Sequence, residues 1–130
     1  MAGEDLFLGA PPGQNWPLSL DDVEPRLRER FPDAYIARRE SAITGKSRLS
    51  FTVKLADGTP RHGIYVDHDN LALTDGDASV WADTIAWFLS LLPPGTPTVV
   101  MRGEGPVTAD LPAQIRTPDA ITAFFSSLPA

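Results

Sequence analysis

The chain of 130 residues has 17 acidic and 11 basic side chains, a formal net charge of −6 and no cysteine. This length predicts a single domain with one core, and the absence of cysteine excludes disulfides, thiolate zinc sites and cysteine nucleophiles. The acidic balance argues against nucleic acid or an anionic membrane as partner and favours a basic protein. The longest apolar run, AWFLSLL, falls far below the ~20 residues of a membrane span. We therefore expect a cytoplasmic protein.

The first 18 residues contain three prolines, three glycines and no periodic pattern. They predict an irregular N-terminal arm (1–18), followed by a single α+β domain (19–130). Apolar side chains of the arm, Trp16 among them, could lie on the domain or on a partner.

The stretch SLDDVEPRLRERF carries an apolar stripe at helical spacing, with Ser19 or Asp21 as the N-cap. Because proline is tolerated in the first turn of a helix, Pro25 predicts that the regular helix starts near Asp22. Pro32 then ends the helix.

The stretch RLSFTVKL alternates strictly between apolar and polar residues, which predicts a strand with one buried face and one solvated face. AYIARRES precedes it as a strand, and RHGIYVD and NLALT follow as a third strand and a short fourth. This pattern predicts an antiparallel sheet that is covered on one side only.

The remaining sequence predicts a long core helix, a strand and a closing helix, in the stretches DASVWADTIAWFLSLLP, TPTVVMRG and TPDAITAFFSSL. A further strand is predicted in GPVTADLP or AQIR. The fold class is α+β: a single antiparallel sheet of four to five strands with helices packed mainly on one face. The predicted order is α-β-β-β-(β)-α-β-(β)-α.

The stretch YVDHDNLALTDGD is the densest cluster of potential ligands, with Asp67, Asp69, Asp75, Asp77 and a histidine, His68. A calcium loop would need an oxygen ligand where Leu71 stands, a glycine where Ala72 stands, and a distal glutamate. Asp67–Asn70 and Asp75–Asp77 are instead typical of turns and of a helix N-terminus. We expect no metal and no cofactor at this stretch.

Other signatures of catalysis are missing from the sequence. No serine lies in a G-x-S-x-G elbow, and RGEGP lacks the third glycine and the helix of a dinucleotide site. We therefore predict a protein that is not an enzyme. The alternative is a small enzyme or small-ligand-binding protein that uses His62, His68 and the neighbouring aspartates.

The surface offers the remaining candidates. Trp16, Trp87 and Tyr35 are candidates for exposed aromatics, a residue class enriched at interface hot spots, and the alternative is that the tryptophans lie in the core. The solvated face of the first two strands is predicted to present cations, depending on the strand register: Arg48, Lys54 and either Arg38 or Arg39.

The element order, together with RLSFTVKLADG, VDHDNLALTDGD and WFLSLLPPGTPTVV at the element junctions, resembles that of class I type III secretion chaperones over residues 19–128. Chaperone-like relatives of that fold occur as small acidic proteins in actinobacteria. The 13 prolines of the chain, with many Ala, Gly, Asp and Arg residues, are typical of proteins encoded by such high-GC genomes. The order is also similar to that of immunity proteins of polymorphic-toxin systems. The chaperone resemblance implies a homodimer that binds an extended partner segment.

The sequence thus predicts a non-enzymatic protein-binding module, either chaperone-like or a toxin-neutralising immunity protein. In the immunity version, Asp67, Asp69, Asp75 and Asp77 would enter the active site of a basic toxin. In the chaperone version, an apolar sheet or helix surface would take up the partner by strand addition or groove packing. A third alternative is a component of a larger assembly, in which the arm orders on assembly.

Overall fold

A computed structural model describes residues 5–40, 43, 45–103 and 108–128. It contains seven strands and three helices among these residues. In chain order the elements are β1 Leu6–Gly9, α1 Leu20–Arg30, β2 Tyr35–Glu40, β3 Ser47–Lys54, β4 Pro60–Val66, β5 Asn70–Leu73, α2 Ala78–Leu89, β6 Val99–Arg102, β7 Ala109–Asp110 and α3 Pro118–Ser126.

The strands form one sheet in the order β2-β3-β4-β5-β1-β6-β7, and each neighbouring pair is antiparallel. The predicted α+β class with a single antiparallel sheet is therefore confirmed. The sheet has seven strands rather than the predicted four to five, because β1 is not among the predicted strands and the two optional short strands, β5 and β7, both form. β7 lies within GPVTADLP, one of the two stretches in which a further strand is predicted, and residues 105–107 of that stretch lie outside the described residues.

The N-terminal arm contributes a central strand. β1 lies between β5 and β6, where Leu8 pairs with Leu71 on one side and with Val100 on the other. Leu6 and Leu8 are buried in the same core as the helices. The prediction of an irregular arm is therefore wrong for Leu6–Gly9, because a strand with neighbours on both sides gains a full set of backbone hydrogen bonds despite its short length.

The rest of the arm is fixed to the core by aromatic contacts. Trp16 is only 1% exposed, its indole Nε1 donates to the carbonyl of Pro97 over 3.2 Å, and its ring stacks on Tyr65. The Tyr65 hydroxyl donates to the carbonyl of Leu18 over 2.5 Å. Burial raises the pKa of this hydroxyl, so Tyr65 stays protonated. Among the described residues of the arm, Leu6, Leu8, Trp16 and Leu18 thus belong to the core.

Helix α1 begins earlier than predicted. Ser19 is the N-cap, and Ser19 and Asp22 form a reciprocal capping box. Pro25 therefore lies inside the helix and not in its first turn. Because proline has no N–H, the carbonyl of Asp21, four residues earlier, has no intrahelical donor. The exposed position of Pro25 allows water to satisfy that carbonyl.

Helices α2 and α3 complete the core on the same side of the sheet. Asp77 caps α2, at the helix N-terminus that the sequence predicts for Asp75–Asp77, and Thr117 caps α3 with Pro118 at its start. The Phe51 ring packs directly over Gly63, where a Cβ atom would lie 2.3 Å from Phe51 Cζ. None of the described helices has the length and apolarity that crossing a bilayer requires.

The two neighbouring residues Leu8 and Phe7 test the role of β1, since they point to opposite faces of the sheet. Leu8 is fully buried against the helices, so we expect Leu8→Ala to lower the free energy of unfolding by about 2–5 kcal/mol. Phe7→Ala is the matched control on the half-buried face, and we expect it to lower that free energy by less than half as much. Urea unfolding followed by tryptophan fluorescence measures both. Equally small effects would mean that β1 is dispensable to the fold.

Candidate functional site on the open face of the sheet

The aspartates of the YVDHDNLALTDGD stretch do not converge. Asp67 and Asp69 lie in the turn between β4 and β5, whereas Asp75 and Asp77 follow the far end of β5. The cluster is therefore divided between the two ends of one strand. No group of three or more metal-ligating side chains occurs among the residues that the structure describes.

At the β4–β5 turn, both acidic side chains hold other parts of the chain. Asp67 Oδ1 accepts a hydrogen bond from the backbone N–H of Leu20, the first residue of α1, over 3.0 Å. Asp69 Oδ2 lies 2.7 Å from Lys46 Nζ. The two carboxylates thus fasten α1 and the β2–β3 connection to this turn.

At the far end of β5, Asp75 pairs with a histidine. Asp75 Oδ2 lies 2.6 Å from His62 Nδ1, and this hydrogen bond lowers the pKa of Asp75. Asp77 Oδ1 accepts from the backbone N–H of Val80 at the start of α2 and from the Ser79 hydroxyl, and the Ser79 contact is the main cause of a lowered pKa at Asp77. Both carboxylates are therefore charged at neutral pH and serve the turn and the helix.

The two histidines lie at opposite ends of β4. His62 is near its start and His68 lies in the turn beyond its end, so that the four residues of extended strand from His62 to Val66, about 13 Å, separate them. His68 Nδ1 contacts the Trp16 carbonyl over 2.7 Å, and His68 adopts a positive φ of 59° in the turn. His68 therefore supports the arm, and His62 is left as the histidine of the alternative catalytic site.

The predicted exposed aromatics divide into three cases. Trp16 is buried on the domain and is therefore not an exposed aromatic, because the arm folds against the core. Trp87 is half-buried between the Phe31 ring and the guanidinium of Arg30, which lies 5.5 Å from the Trp87 ring centre. Tyr35 is 71% exposed, as predicted. Tyr35 alone of these three presents most of its surface to solvent.

The strand register decides which arginine faces solvent beside Arg48. Arg39 pairs directly with Arg48, so both side chains lie on the face of the sheet opposite the helices, which we call the open face. Arg38 points to the helix side, where it binds Glu24 over 2.6 Å and Asp21 over 2.8 Å. The hydrogen bond from Arg38 lowers the pKa of Glu24.

Apolar side chains cross the open face in one row. Ile64, Ala72, Phe7 and Met101 are consecutive register partners on β4, β5, β1 and β6, and Val66 lies next to Ile64 along β4. All five are half-buried, and none is among the described side chains that pack against the helix-side core. We call these five residues the apolar band. Sequence reasoning missed it, although β1, β4 and β5 carry apolar residues at successive positions rather than in strict alternation.

A shallow depression of about 320 Å³ adjoins the apolar band over β2, β3 and β4. The small side chains of Ala37 and Ser50 lie at the middle of its length, and Thr52 lies between Tyr35 and His62. Larger side chains surround them: Tyr35 and His62 at one end, Ile64 at the side, and Arg39 and Arg48 at the other end. The two ends are four residues apart along the strands, or about 13 Å.

Capping by Asp77 can be tested by substitution. We expect Asp77→Ala to lower the free energy of unfolding by about 1 kcal/mol, because the backbone N–H of Val80 loses its acceptor. Asp77→Asn is the matched control, since the amide oxygen can still accept, and it should lower that free energy by only a few tenths of a kcal/mol. Urea unfolding at neutral pH measures both. If the two variants lose the same stability, the charge of Asp77 and not its cap is what stabilises α2.

The lowered pKa values also predict a pH dependence. A carboxyl group whose pKa is lower in the folded than in the unfolded chain stabilises the fold fully above its unfolded pKa of about 4, and the stabilisation is lost as the pH falls through the folded value. We expect the urea midpoint to stay level from pH 7 to pH 5 and to fall between pH 4 and pH 2. An unchanged midpoint over the lower interval would contradict this account. The groups concerned are Asp22, Glu24, Asp57, Asp75 and Asp77.

The open face is thus the candidate site: an apolar band, a depression beside it, and an exposed tyrosine and two arginines at the rim of the depression. The four aspartates that the sequence singled out are instead engaged in contacts within the chain. No protein-family model, curated protein or solved structure matches the chain.

Proposed function

We propose that this protein is a non-enzymatic protein-binding module and that the open face of its sheet is the binding surface. The observation that carries the proposal is the apolar band, which runs across four adjacent strands on the side of the sheet away from the helices. The residues that a sheet presents to solvent are normally polar. A continuous apolar row on such a face therefore favours contact with another molecule. Tyr35 adds an exposed aromatic side chain beside the row.

The chaperone-like version of this function receives more support than the immunity version. An immunity protein that blocks a basic active site needs free acidic side chains. Asp67 and Asp77, however, cap or fasten helices, and Asp69 and Asp75 pair with Lys46 and His62. An apolar sheet face, by contrast, suits the uptake of a partner's apolar segment.

Site-directed photo-cross-linking tests the proposal. A photoreactive amino acid is placed at Ile64 on the open face, or at Asp83 on the exposed side of α2 as the matched control, in cells that express the chain natively. We expect a discrete adduct with one protein from Ile64 and none from Asp83. Excess unlabelled wild-type chain should abolish the adduct, and excess Ile64→Glu chain should not, because a carboxylate would have to be buried at the apolar contact.

Circular dichroism establishes that the Ile64→Glu chain is folded before it is used as a competitor. The absence of an adduct from Ile64, or equal adducts from both positions, would overturn the proposal. The mass of the adduct also identifies its second member, since a second copy of this chain would show a homodimer that forms through the open face.

A second candidate function is a small enzyme or small-ligand-binding protein. One observation favours it: His62 lines the depression, and its Nδ1 is held 2.6 Å from the Asp75 carboxylate, an arrangement that orients an imidazole as a general base. His62 is 61% exposed, however, and a general base works best where water is excluded. Titration of the His62 ring signals by NMR against a library of small metabolites tests this candidate, and a ligand that shifts those signals but not the Ile64 methyl signals would favour it.

A further inference from the structure

We propose that the open face selects an acidic partner: a short protein segment in which carboxylate side chains adjoin an aromatic or aliphatic side chain. The inference rests on the proposed function and adds the chemistry of the partner. It reverses the expectation of a basic partner, which followed from the net charge of the whole chain.

The charge of the open face differs from that of the chain. Although the net charge is −6, the outward positions of β2 and β3 carry three cations, Arg39, Arg48 and Lys54, and no carboxylate. Of the acidic side chains described above, Asp75 contacts His62 at the end of the depression away from Arg39 and Arg48, and the others lie on the helix side or in turns. A partner that approaches the β2–β3 end of the open face therefore meets positive charge.

These cations are free to bind a partner. Within the described ranges, the side chains of Arg39, Arg48 and Lys54 form no hydrogen bond and no salt bridge. Arg39 and Arg48 are direct cross-strand partners, a like-charge pair that destabilises the sheet by itself. A carboxylate that bridges the two guanidinium groups would relieve their repulsion and form charge-assisted hydrogen bonds.

The depression beside Arg39 and Arg48 determines which kind of side chain a partner can place next to its carboxylate. Its volume of about 320 Å³ is at the low end of the ~300–1,000 Å³ typical of ligand pockets, so it suits one or two side chains rather than a folded domain. The side chains of Ala37, Ser50 and Thr52 are small and so keep this space open. Ile64 lines the depression and also belongs to the apolar band. A segment whose carboxylate meets Arg39 and Arg48 would therefore place its next apolar side chain in the depression and the following ones along the band.

Fluorescence anisotropy with synthetic peptides tests the inference on the full chain. The probe is a short fluorescein-labelled peptide with two adjacent glutamates before a phenylalanine and a leucine, compared with the same peptide carrying glutamines. We expect the glutamate peptide to bind about tenfold more tightly, because it makes charge-assisted hydrogen bonds that the glutamine peptide lacks. The ratio of the two affinities should fall to about one in the double variant Arg39→Gln/Arg48→Gln.

The matched control is Arg26→Gln/Arg28→Gln on α1, which removes the same charge elsewhere on the surface and should keep the preference. A preference that survives in Arg39→Gln/Arg48→Gln, equal binding of both peptides to the wild-type chain, or no binding of either peptide would overturn the inference. A lysine-containing peptide that binds more tightly than the glutamate peptide would restore the basic partner.

A third variant separates this inference from the proposed function. Ile64→Gln should weaken both peptides by a similar factor and leave their ratio unchanged, because it removes the apolar contact and not the charge. If the ratio behaves as expected but Ile64→Gln has no effect, the apolar band is not the binding surface and the proposed function falls. If Ile64→Gln weakens binding but the glutamate peptide has no advantage, only the acidic preference falls.

Discussion

The structure depends on the pairing of β1 with strands on both of its sides. Among the described strands, β6 pairs only with β1 and β7, so β1 alone joins β6 and β7 to the four strands from β2 to β5. The chain that follows β1 places Trp16 against Tyr65 of β4 and Phe88 of α2, and these three rings pack together in the core. The helices therefore have a continuous sheet to pack on only because this short stretch is in place.

The two faces of the sheet differ in how their apolar and charged side chains are paired. On the helix side, apolar residues fill the space and Arg38 is matched by carboxylates of α1. On the open face, apolar side chains and arginines lie side by side without such matching among the described residues. A stable monomer has no need of this arrangement, because polar, uncharged side chains would be better solvated there and would not repel one another. The open face thus carries the features of the chain that folding by itself does not explain.

Much of the fold could be predicted from local patterns. The alternation in β3 predicted both the strand and its buried face, and single residues narrowed the N-cap of α1 to Ser19 or Asp21, of which Ser19 is the cap. β1 could not be predicted in this way, because four residues between prolines and glycines show no period, and their partners lie far away in the chain. The site was harder still: it consists of single residues from several strands, and only the register places Ile64, Ala72, Phe7 and Met101 in one row. The aspartates attracted attention because they are close in sequence, but a strand of four residues separates them in space.

The central position of β1 also bears on the order in which the molecule assembles. β1 is synthesised before both of its partners, and Leu6 can meet Arg102 of β6 only after the intervening residues 7–101 have been made. Pairings of such long sequence separation raise the contact order and slow folding, since a large loop must close before the contact stabilises anything. During that interval the strands from β2 to β5 can form a hairpin array whose β5 edge is unpaired, and an unpaired edge of this kind is where newly made chains associate with one another.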